Sequence, residues 1–344
     1  MNNNNLLKLQ GEALIPAIAY GDAAGLPVET KSAEYIAGRY GRVTELLPTS
    51  DNPFFAGSHE PGFWSDDTQL SLAVAKGLIR ANRFDLEAIA GAHIAAYDET
   101  PFIEHNGKQR KQGWGGSTVS AMELIKQGVS PLESGTPEGF GNGVLMKMAP
   151  LVYWQYARGT AARERHEQYD QLTNMTHNNE ITRLTTRLHG DVLHSLLDGE
   201  YSKAGLLQTI RTSLALHDPE ARIEVQAKDA SQASITMHAL LAYLEHDVTA
   251  QQILASTDGA GFYAPQTLAM AYGAFIAQDG VFNPSVYEAV NLGGDTDSTG
   301  SIVAAMSNFA TKERVRLGID HQQLNQLQML KRVSRQLAAK ALSL

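Results

Sequence analysis

The sequence predicts an all-α protein with one compact domain. Apolar residues recur at helical spacing along most of the chain, whereas alternating strand patterns are nearly absent: residues 222–225 alternate, but they are few and isolated. No linker or internal repeat divides the 344 residues, of which 43% are hydrophobic, enough for a large core. We therefore expect a single domain over residues 1–344, with the polar residues 1–8 as a frayed tail.

Apolar periodicity and capping residues place the helices. In the segment from 66 to 80, Leu70, Val74 and Leu78 fall on one side. Ser117 or Thr118 can cap a helix that ends at Gly128. The closing helix is expected over 321–342, with a core seam of Leu324, Leu327, Leu330, Val333 and Leu337. Further helices are expected at 86–97, 143–156, 180–198, 202–216, 230–245, 249–256, 264–278, 285–291 and 295–310. Residues 30–63 and 128–143 are rich in glycine and proline, which predicts shaped loops suited to binding.

Composition limits the classes of function. The net charge is −9, with 28 basic and 37 acidic residues and no basic block, which argues against a nucleic-acid or membrane surface. The absence of cysteine excludes disulfides and thiolate metal sites. The polar start does not resemble a secretory signal and no apolar stretch could span a bilayer, so we expect a cytoplasmic protein.

Two acidic segments carry the strongest functional signal. One is Trp64-Ser65-Asp66-Asp67-Thr68, and the other is Gly293-Gly294-Asp295-Thr296-Asp297-Ser298. Each combines two carboxylates and a hydroxyl at the expected start of an apolar helix. Oxygen ligands of this kind suit Mg²⁺ or Mn²⁺. Helix capping explains either segment alone, but their recurrence favours one shared site with two metal ions.

Other segments give weaker signals. Glu29, which follows Gly25-Leu26-Pro27-Val28, is either a surface residue or a ligand, gate or general base beside the metals. The glycine turns at 113–116 and 139–143 precede helices and suit phosphates, although plain turns look the same. His177 could contact a ligand, but a loop histidine usually has no such role.

Taken together, these motifs resemble the ADP-ribosylglycohydrolase family, which includes dinitrogenase reductase-activating glycohydrolases and ADP-ribosyl-acceptor hydrolases. The resemblance rests on Gly21-Asp22, Pro27, Glu29, the two acidic segments, Gly139-Phe140-Gly141-Asn142-Gly143 and Thr176-His177, in the family's order over about residues 12–310. Ser65 and Ser298 stand where threonine is frequent, and Lys147 stands where arginine is common. Lysine lacks the forked geometry of arginine.

The resemblance implies an all-α fold with a central pair of Mg²⁺ or Mn²⁺ ions and hydrolysis of the bond between ADP-ribose and an acceptor, arginine being favoured over serine. The substrate would be an ADP-ribosylated protein or a small-molecule conjugate. The implied metal ligands are Ser65, Asp66, Asp67, Asp295, Asp297 and Ser298. The implied catalytic residues are Glu29, Asp66, Asp67 and Asp297. The implied ADP-ribose contacts are Gly113, Gly115, Gly139, Phe140, Gly141, Asn142, His177, Phe262 and Tyr263.

Three alternatives remain open from the residues. A phosphohydrolase acting on a nucleotide or an ADP-ribose phosphate could use the same two-metal site. A non-catalytic ADP-ribose-binding protein could share the fold, although all six implied ligand positions keep an oxygen-bearing side chain. A plain helical protein with well-capped helices would leave the paired acidic segments unexplained.

Overall fold

The computed structural model of the protein describes residues 3–55, 59–105, 107–199, 201–225, 235–245 and 261–343. Most of these residues are helical, as predicted, and they form one compact domain. The α-helices are α1 (Asn3–Gly25), α2 (Ala33–Tyr40), α3 (Asp66–Ala81), α4 (Leu86–Glu99), α5 (Gly116–Lys126), α6 (Ala149–Arg158), α7 (Ala162–Asn174), α8 (Glu180–Asp198), α9 (Lys203–His217), α10 (Met237–Ala242), α11 (Ala264–Ala277), α12 (Phe282–Asn291), α13 (Thr296–Ala310) and α14 (Leu327–Leu342).

Strands are a minor part of the described chain. Strand β1 (Phe102–His105) pairs with β2 (Lys108–Lys111), and β3 (Glu224–Val225) pairs with β4 (Ile235–Thr236), both antiparallel. Each pair forms a sheet of its own. The core is therefore formed by helix packing, which agrees with the predicted fold class.

Helices α1 and α13 cross in the core at very short distance. A Cβ on Gly21 would lie 2.2 Å from the carbonyl oxygen of Gly300, and a Cβ on Gly25 would lie 2.1 Å from that of Thr296. A Cβ on Gly300 would in turn lie 2.4 Å from the carbonyl oxygen of Gly21. Only glycine permits backbones to approach this closely. The crossing brings the end of α1 beside the start of α13.

The closing helix α14 also binds α1. The Ser334 hydroxyl donates to the Gly11 carbonyl oxygen at 2.7 Å and accepts from the Ile15 amide at 3.1 Å. Ile15, whose amide this hydroxyl binds, directly precedes Pro16, which has no amide hydrogen of its own. Helix α14 thus fixes the part of α1 that leads to the glycine crossing.

Several predicted helices are confirmed almost to the residue. The predictions at 180–198 and 264–278 correspond to α8 and α11. All five residues of the predicted seam in the closing helix are buried. That helix begins at Leu327 rather than at 321, because residues 321–323 form a separate 3-10 turn.

Three helices were not predicted. Helix α1 includes residues 3–8, which we expected to fray, and its middle is buried on every side, so it lacks the periodicity of an amphipathic helix. Helix α2 lies within the expected loop 30–63, where Ser32 caps it. Helix α7 carries mostly charged and polar residues. The β1–β2 pair was also missed.

Two predictions involve residues outside the described ranges. The helix expected at 230–245 is found only as α10 and a 3-10 turn over Tyr243–Glu245, while residues 230–234 are not described. The helix expected at 249–256 lies wholly outside the described residues. Among the residues that are described, no helix has the length and apolar character needed to cross a membrane.

Candidate functional site

The start of α3 is held by a buried carboxylate from α1. Asp22 accepts hydrogen bonds from the Ser65 amide at 2.9 Å, the Thr68 amide at 3.0 Å and the Thr68 hydroxyl at 2.6 Å. Both carboxylate oxygens of Asp22 therefore accept hydrogen bonds, and the Ser65 amide also lies 3.0 Å from Oδ2. Asp22 therefore satisfies helix amides that would otherwise lack partners, and it fixes where the first acidic segment lies.

The two acidic segments meet at Asp67. Its carboxylate accepts from the Ser65 hydroxyl at 3.3 Å and, across the molecule, from the Ser298 hydroxyl at 3.4 Å and the Ser301 hydroxyl at 2.8 Å. Ser298 and Ser301 belong to α13, so the starts of α3 and α13 face each other. Residues separated by more than half of the chain thus form one polar cluster.

Glu29 reaches the cluster from the loop after α1. The Thr30 amide donates to the Gly294 carbonyl oxygen at 2.8 Å, and the Gly294 amide donates to the Lys31 carbonyl oxygen at 2.8 Å. Gly293 and Gly294 have φ values of 76° and 81°, in the left-handed region. A Cβ on Gly293 would lie 2.5 Å from the Lys31 carbonyl oxygen, so the expected close approach at these glycines is made by the Glu29 loop itself.

An amide side chain fixes the Glu29 carboxylate. The Asn52 Nδ2 group donates to Glu29 Oε2 at 2.8 Å and to the Leu26 carbonyl oxygen at 2.6 Å. Both Asn52 and Glu29 are buried. The loop 30–63, expected to hold binding residues, therefore supplies Asn52 as the partner that orients Glu29.

The carboxyl groups of this cluster lie close together and have little exposure to solvent. Burial, and next to it the charge of Asp297, raises the pKa of the Asp22 carboxyl to about 7. The same two causes raise the pKa of four further carboxyls well above the ordinary value: Glu29, Asp66, Asp67 and Asp295. Burial also raises the pKa of Asp297. Such crowding costs free energy unless positive charge offsets it.

One buried cation lies near this cluster. Lys147 is fully buried, and its Nζ has no hydrogen-bond partner within the described part of the chain. Burial lowers the pKa of Lys147 to about 7, although the charge of Asp66 acts in the opposite direction. A single lysine cannot neutralise six carboxyl groups, so the ionised forms of all six require further positive charge.

The first glycine turn passes directly over Asp66. Gly113 has a φ of 80°, and its missing Cβ would lie 3.1 Å from Asp66 Oδ1. The next residue, Trp114, donates its indole N–H to Gln69 Oε1 at 2.7 Å, and Gln69 lies one turn along α3 from the acidic pair. The contact with Gln69 therefore keeps the loop around Gly113 close to the Asp66 carboxylate.

The second glycine turn pairs with the segment before α11. The Asn142 amide donates to the Phe262 carbonyl oxygen at 3.1 Å, and the Ala264 amide donates to the Phe140 carbonyl oxygen at 3.0 Å. The Asn142 side chain donates to Asp295 Oδ2 and, at 3.0 Å, to the Thr267 hydroxyl. This turn is thereby joined to the second acidic segment.

His177 lies beneath this turn. Its imidazole is buried, with Nδ1 2.7 Å from the Thr176 hydroxyl, and a Cβ on Gly139 or Gly143 would lie 3.2 or 3.4 Å from the ring. Burial, and to a lesser extent the charge of Lys147, lowers the pKa of His177 to about 3. The ring is therefore neutral at physiological pH.

These groups surround a cavity of about 210 Å³. Twelve of the predicted site residues line it: Glu29, Asp66, Asp67, Gly113, Gly115, Gly141, Asn142, His177, Phe262, Asp295, Asp297 and Ser298. Ser65, Gly139, Phe140 and Tyr263 are not among the lining residues. Ser65 lies at the N-terminus of α3, while Phe140 and Tyr263 pack ring to ring with centroids 6.3 Å apart.

A second, larger space adjoins the cavity across Asp66. This α3–α4 groove, of about 390 Å³, contains Phe63, Trp64, Gln69 and Glu99 and shares Asp66 with the cavity. The aromatic rings of Phe55, Phe63 and Trp64 line this groove, and the ring of His59 stacks on Phe63 with 3.9 Å between centroids. The exposed carboxylate of Glu99 lies at the end of α4.

The capping interpretation accounts for only part of the acidic segments. Ser65 accepts from the Asp67 amide at 3.2 Å and so caps α3 together with Asp22. Asp295 occupies the corresponding position of α13, yet its side chain makes no capping hydrogen bond. Its carboxylate instead faces Asn142 and the cavity. Capping therefore explains Ser65 but not Asp295.

The donor set fits a divalent cation. Glu29, Asp295 and Asp297 each offer a carboxylate oxygen, and the three oxygens lie within 4.8 Å of one another. Asp66, Asp67 and Ser298 line the same cavity. Carboxylates and hydroxyls are ligands that Mg²⁺ and Mn²⁺ accept, and two positive ions would offset the charge that Lys147 leaves.

Sequence reasoning assigned no role in the site to four residues that organise it: Asp22 and Lys147, which the resemblance named, and Asn52 and Ser301, which it did not. A signal existed for Asp22, since the segment Gly21-Asp22 was already part of the resemblance. Asn52 lies in a loop, and Ser301 follows Ser298 by three residues on the buried face of α13, so neither could be distinguished from ordinary residues without the fold.

Comparison with known proteins gives a consistent result. The family model described as ADP-ribosylglycohydrolase matches residues 13–310. A solved structure titled ADP-ribosylglycohydrolase-related protein complex superposes with a TM-score of 0.71 at 21% identity, covering 98% of this chain and 99% of that one. At this identity the superposition supports the fold alone.

Relatives by sequence are distant. An uncharacterised protein of Archaeoglobus fulgidus is 25% identical over 87% of this chain and 88% of its own length. The ADP-ribosylarginine hydrolase Tri1 of Serratia proteamaculans is 24% identical over 55% of this chain and 48% of its own length. Tri1 of Pseudomonas putida gives similar values, 24% identity over 57% and 48%. The chain spans about half the length of the Tri1 relatives.

Proposed function

Because the chain belongs to the ADP-ribosylglycohydrolase family of hydrolases, we propose that it cleaves ADP-ribose from an acceptor with the help of two divalent cations, and that arginine is preferred to serine as the acceptor. The observation that carries the proposal is the meeting of the two acidic segments at Asp67, which receives hydroxyls from both. A helical protein with capped helices has no need for this arrangement.

The proposed cation ligands are those expected from the sequence: Ser65, Asp66, Asp67, Asp295, Asp297 and Ser298. Two bound Mg²⁺ or Mn²⁺ ions would offset the charge of the carboxylates, orient the ribose hydroxyls and lower the pKa of a water molecule. Asp22 and Asn142 act indirectly in this proposal. Asp22 holds the start of α3, and Asn142 fixes Asp295.

The reaction requires a water oxygen to bond to the anomeric carbon of the ribose while the bond to the acceptor breaks. The bonding electrons leave with the acceptor nitrogen or oxygen, which takes up a proton, and the transition state resembles an oxocarbenium ion. Glu29 lines the cavity and is oriented by Asn52, so we assign it the removal of a proton from the attacking water. The glycine turns and His177 would hold the diphosphate and the adjoining ribose.

The α3–α4 groove is where the acceptor would lie, since it meets the cavity at Asp66. Its aromatic lining, which includes Phe63 and Trp64, and the carboxylate of Glu99 suit a guanidinium group, which stacks on aromatic faces and pairs with carboxylates. The uncharged glycosidic oxygen of an ADP-ribosylated serine would gain little from either feature. The name of the Tri1 relatives, ADP-ribosylarginine hydrolase, agrees with this preference.

The test is release of free ADP-ribose from ADP-ribosyl-arginine and ADP-ribosyl-serine peptides, with Mg²⁺, with Mn²⁺ and with EDTA. We expect cation-dependent release from the arginine peptide, lost in the Asp66→Ala, Asp67→Ala double variant. Glu99→Gln should raise KM for the arginine peptide without changing any residual activity on the serine peptide.

Other outcomes would replace parts of the proposal. Release that persists in EDTA after metal removal would exclude the cation requirement. Faster release from serine would reverse the acceptor preference. Production of inorganic phosphate in place of ADP-ribose would identify a phosphohydrolase, and binding of ADP-ribose without turnover of either peptide would identify a binding protein.

A further inference from the structure

A second group of metal-ligating side chains lies outside the candidate site, where helices α7, α8 and α9 pack together. Asp191 of α8 lies between two histidines, with its Oδ1 2.8 Å from His166 Nε2 of α7 and its Oδ2 3.2 Å from His217 Nε2 at the end of α9. The two imidazole rings are edge to face, with centroids 4.5 Å apart. None of the three residues lines the cavity described above.

The spacing of these groups suits a single cation. Each residue offers one ligand atom, and the three atoms lie within 4.8 Å of one another. In a tetrahedral site with bonds of about 2.0–2.1 Å, neighbouring ligand atoms are roughly 3.3–3.4 Å apart. The 2.8 Å and 3.2 Å distances join His166 and His217 to different oxygens of Asp191, so side-chain movement that brings one of these oxygens and both Nε2 atoms around a common point would admit the ion.

The surroundings provide what such a site requires. Burial alone raises the pKa of the Asp191 carboxyl, but hydrogen bonds from His166, His217 and Ser213 outweigh it and bring that pKa below its ordinary value. The carboxylate is therefore ionised. The Ser213 hydroxyl donates to Asp191 Oδ2 at 2.7 Å and would orient it as an outer-shell partner. The side chain of His166 is 17% exposed, so an ion and a fourth, water ligand can reach the site.

We propose that His166, Asp191 and His217 bind a transition-metal ion of the Zn²⁺ type, which joins α7, α8 and α9. Two imidazoles and one carboxylate favour Zn²⁺, Co²⁺ or Ni²⁺, whereas the oxygen-only candidate site favours Mg²⁺ or Mn²⁺. The ion has a structural role, because the three ligands come from three helices and do not face the cavity. Binding requires each Nε2 to present its lone pair, so the ring protons move to Nδ1 or to solvent.

Zn²⁺ binding measured by competition with a chromophoric chelator tests this proposal. The measurement uses the full chain carrying Asp66→Asn and Asp67→Asn, which reduces binding at the candidate active site. Into this background we would introduce His166→Gln, His217→Gln or Asp191→Asn. Glutamine can still donate to Asp191, so the helix contacts are kept while an imidazole ligand is lost.

The matched control is His194→Gln. His194 lies one turn after Asp191 on α8, with its ring 5.0 Å from that of Tyr156; among the described residues it makes no hydrogen bond to His166, Asp191 or His217, although it lies within reach of the charges of Asp191 and His166. Loss of an outer-shell partner typically weakens metal binding about 10- to 100-fold, so removal of a direct ligand should weaken Zn²⁺ binding by at least about that factor. The control should bind Zn²⁺ like the parent protein.

Co²⁺ provides a second readout in the same Asp66→Asn, Asp67→Asn background, without any further substitution. Visible absorption typical of four-coordinate Co²⁺ in the parent protein, abolished by Zn²⁺, is the expected result. A parent protein that takes up no equivalent of Zn²⁺, or one whose affinity is the same in His166→Gln and His217→Gln as in His194→Gln, would overturn the proposal. Because Asp66 and Asp67 are replaced in every sample, and binding rather than turnover is measured, neither result depends on the proposed hydrolysis.

Discussion

Among single residues, Asp67 is the point through which the two acidic segments touch. Its two oxygens receive hydroxyls from Ser65, Ser298 and Ser301, and four other carboxyls raise its pKa after burial. The carboxylate is thus well placed for a cation and poorly placed without one. Function and stability therefore make opposite demands on this residue.

Asp67→Asn separates these demands. Asparagine has nearly the same shape and keeps one acceptor oxygen, but it removes a charge from the crowded cluster. We expect hydrolysis to fall by at least about a thousandfold, since a lost metal ligand removes several kcal/mol of transition-state stabilisation. In EDTA at neutral pH the variant should melt at a higher temperature than the wild type. Release of ADP-ribose and thermal unfolding measure the two effects.

The control for Asp67→Asn is Glu87→Gln, another charge-removing substitution in the first turn of a helix, but at an exposed position of α4. It should leave activity unchanged. If Asp67→Asn retained more than about a tenth of the activity, Asp67 would not be an essential ligand, because tenfold corresponds to only about 1.4 kcal/mol.

The residues that carry chemistry were easier to recognise than those that orient them. Asp66, Asp67, Asp295 and Asp297 stand out because carboxylates recur beside hydroxyls at helix starts. Asn52 and Ser301 look ordinary in the sequence, since their importance depends on a partner that only the fold brings near. Phe140 and Tyr263, expected at the ADP-ribose, contact each other beside the cavity, and their contact with ADP-ribose stays a prediction.

At the level of elements, the site depends on the crossing of α1 and α13. Helix α1 carries Asp22 and leads into the Glu29 loop, while α13 begins with the second acidic segment. The glycines at the crossing let these chains lie backbone to backbone. A wider crossing would separate Glu29 from Asp297, even with every candidate ligand still present.

Gly300→Ala tests the importance of this crossing. The added Cβ would lie 2.4 Å from the Gly21 carbonyl oxygen, which a rigid helix cannot move without shifting its neighbours. We expect a loss of about 1–3 kcal/mol in the free energy of unfolding, together with reduced hydrolysis, because overpacking displaces backbone. Urea denaturation and ADP-ribose release are the measurements.

Gly91→Ala is the matched control, since Gly91 lies in α4 and a Cβ there would meet nothing within 4 Å. Alanine should stabilise this helix by roughly 0.5–1 kcal/mol. Equal stability of Gly300→Ala and the wild type would mean that α1 and α13 can move apart freely, contrary to the packing described here.

Helix periodicity predicted the elements that are amphipathic, such as α8 and the seam of α14, because one face of each meets the core. It failed for α1, which is buried in its middle, and for α7, which is mostly polar. Pattern analysis detects a helix by the contrast between an apolar face and a polar face, and this contrast is weak in α1 and α7. The glycine crossing was missed for a related reason, since small residues give no periodic signal.

For the whole molecule, the acidic cluster makes stability depend on both cations and protons. Asp22 has its pKa raised from 3.8 to about 7, so the folded state holds a proton that the unfolded state releases between these values. The stability that this proton contributes is complete below about pH 4 and is lost as the pH rises toward about 7. Buried histidines oppose this trend: burial lowers the pKa of His177 from 6.5 to about 3, so its contribution is lost as the pH falls.

The melting-temperature gain on adding Mg²⁺, measured at two pH values, isolates the carboxylates, because the histidines affect both samples alike. Burial and mutual repulsion raise the pKa values of these carboxyls, so protons compete with the cation more strongly at about pH 5 than at about pH 7.5. Ligand at about 100 times its dissociation constant contributes about 2.7 kcal/mol, so we expect a gain of about 3 °C or more at the higher pH and less than about 1 °C at the lower. The Asp66→Asn, Asp67→Asn double variant should show neither gain. An equal gain at both pH values, or one that survives in the double variant, would mean that Mg²⁺ stabilises the protein somewhere other than this cluster.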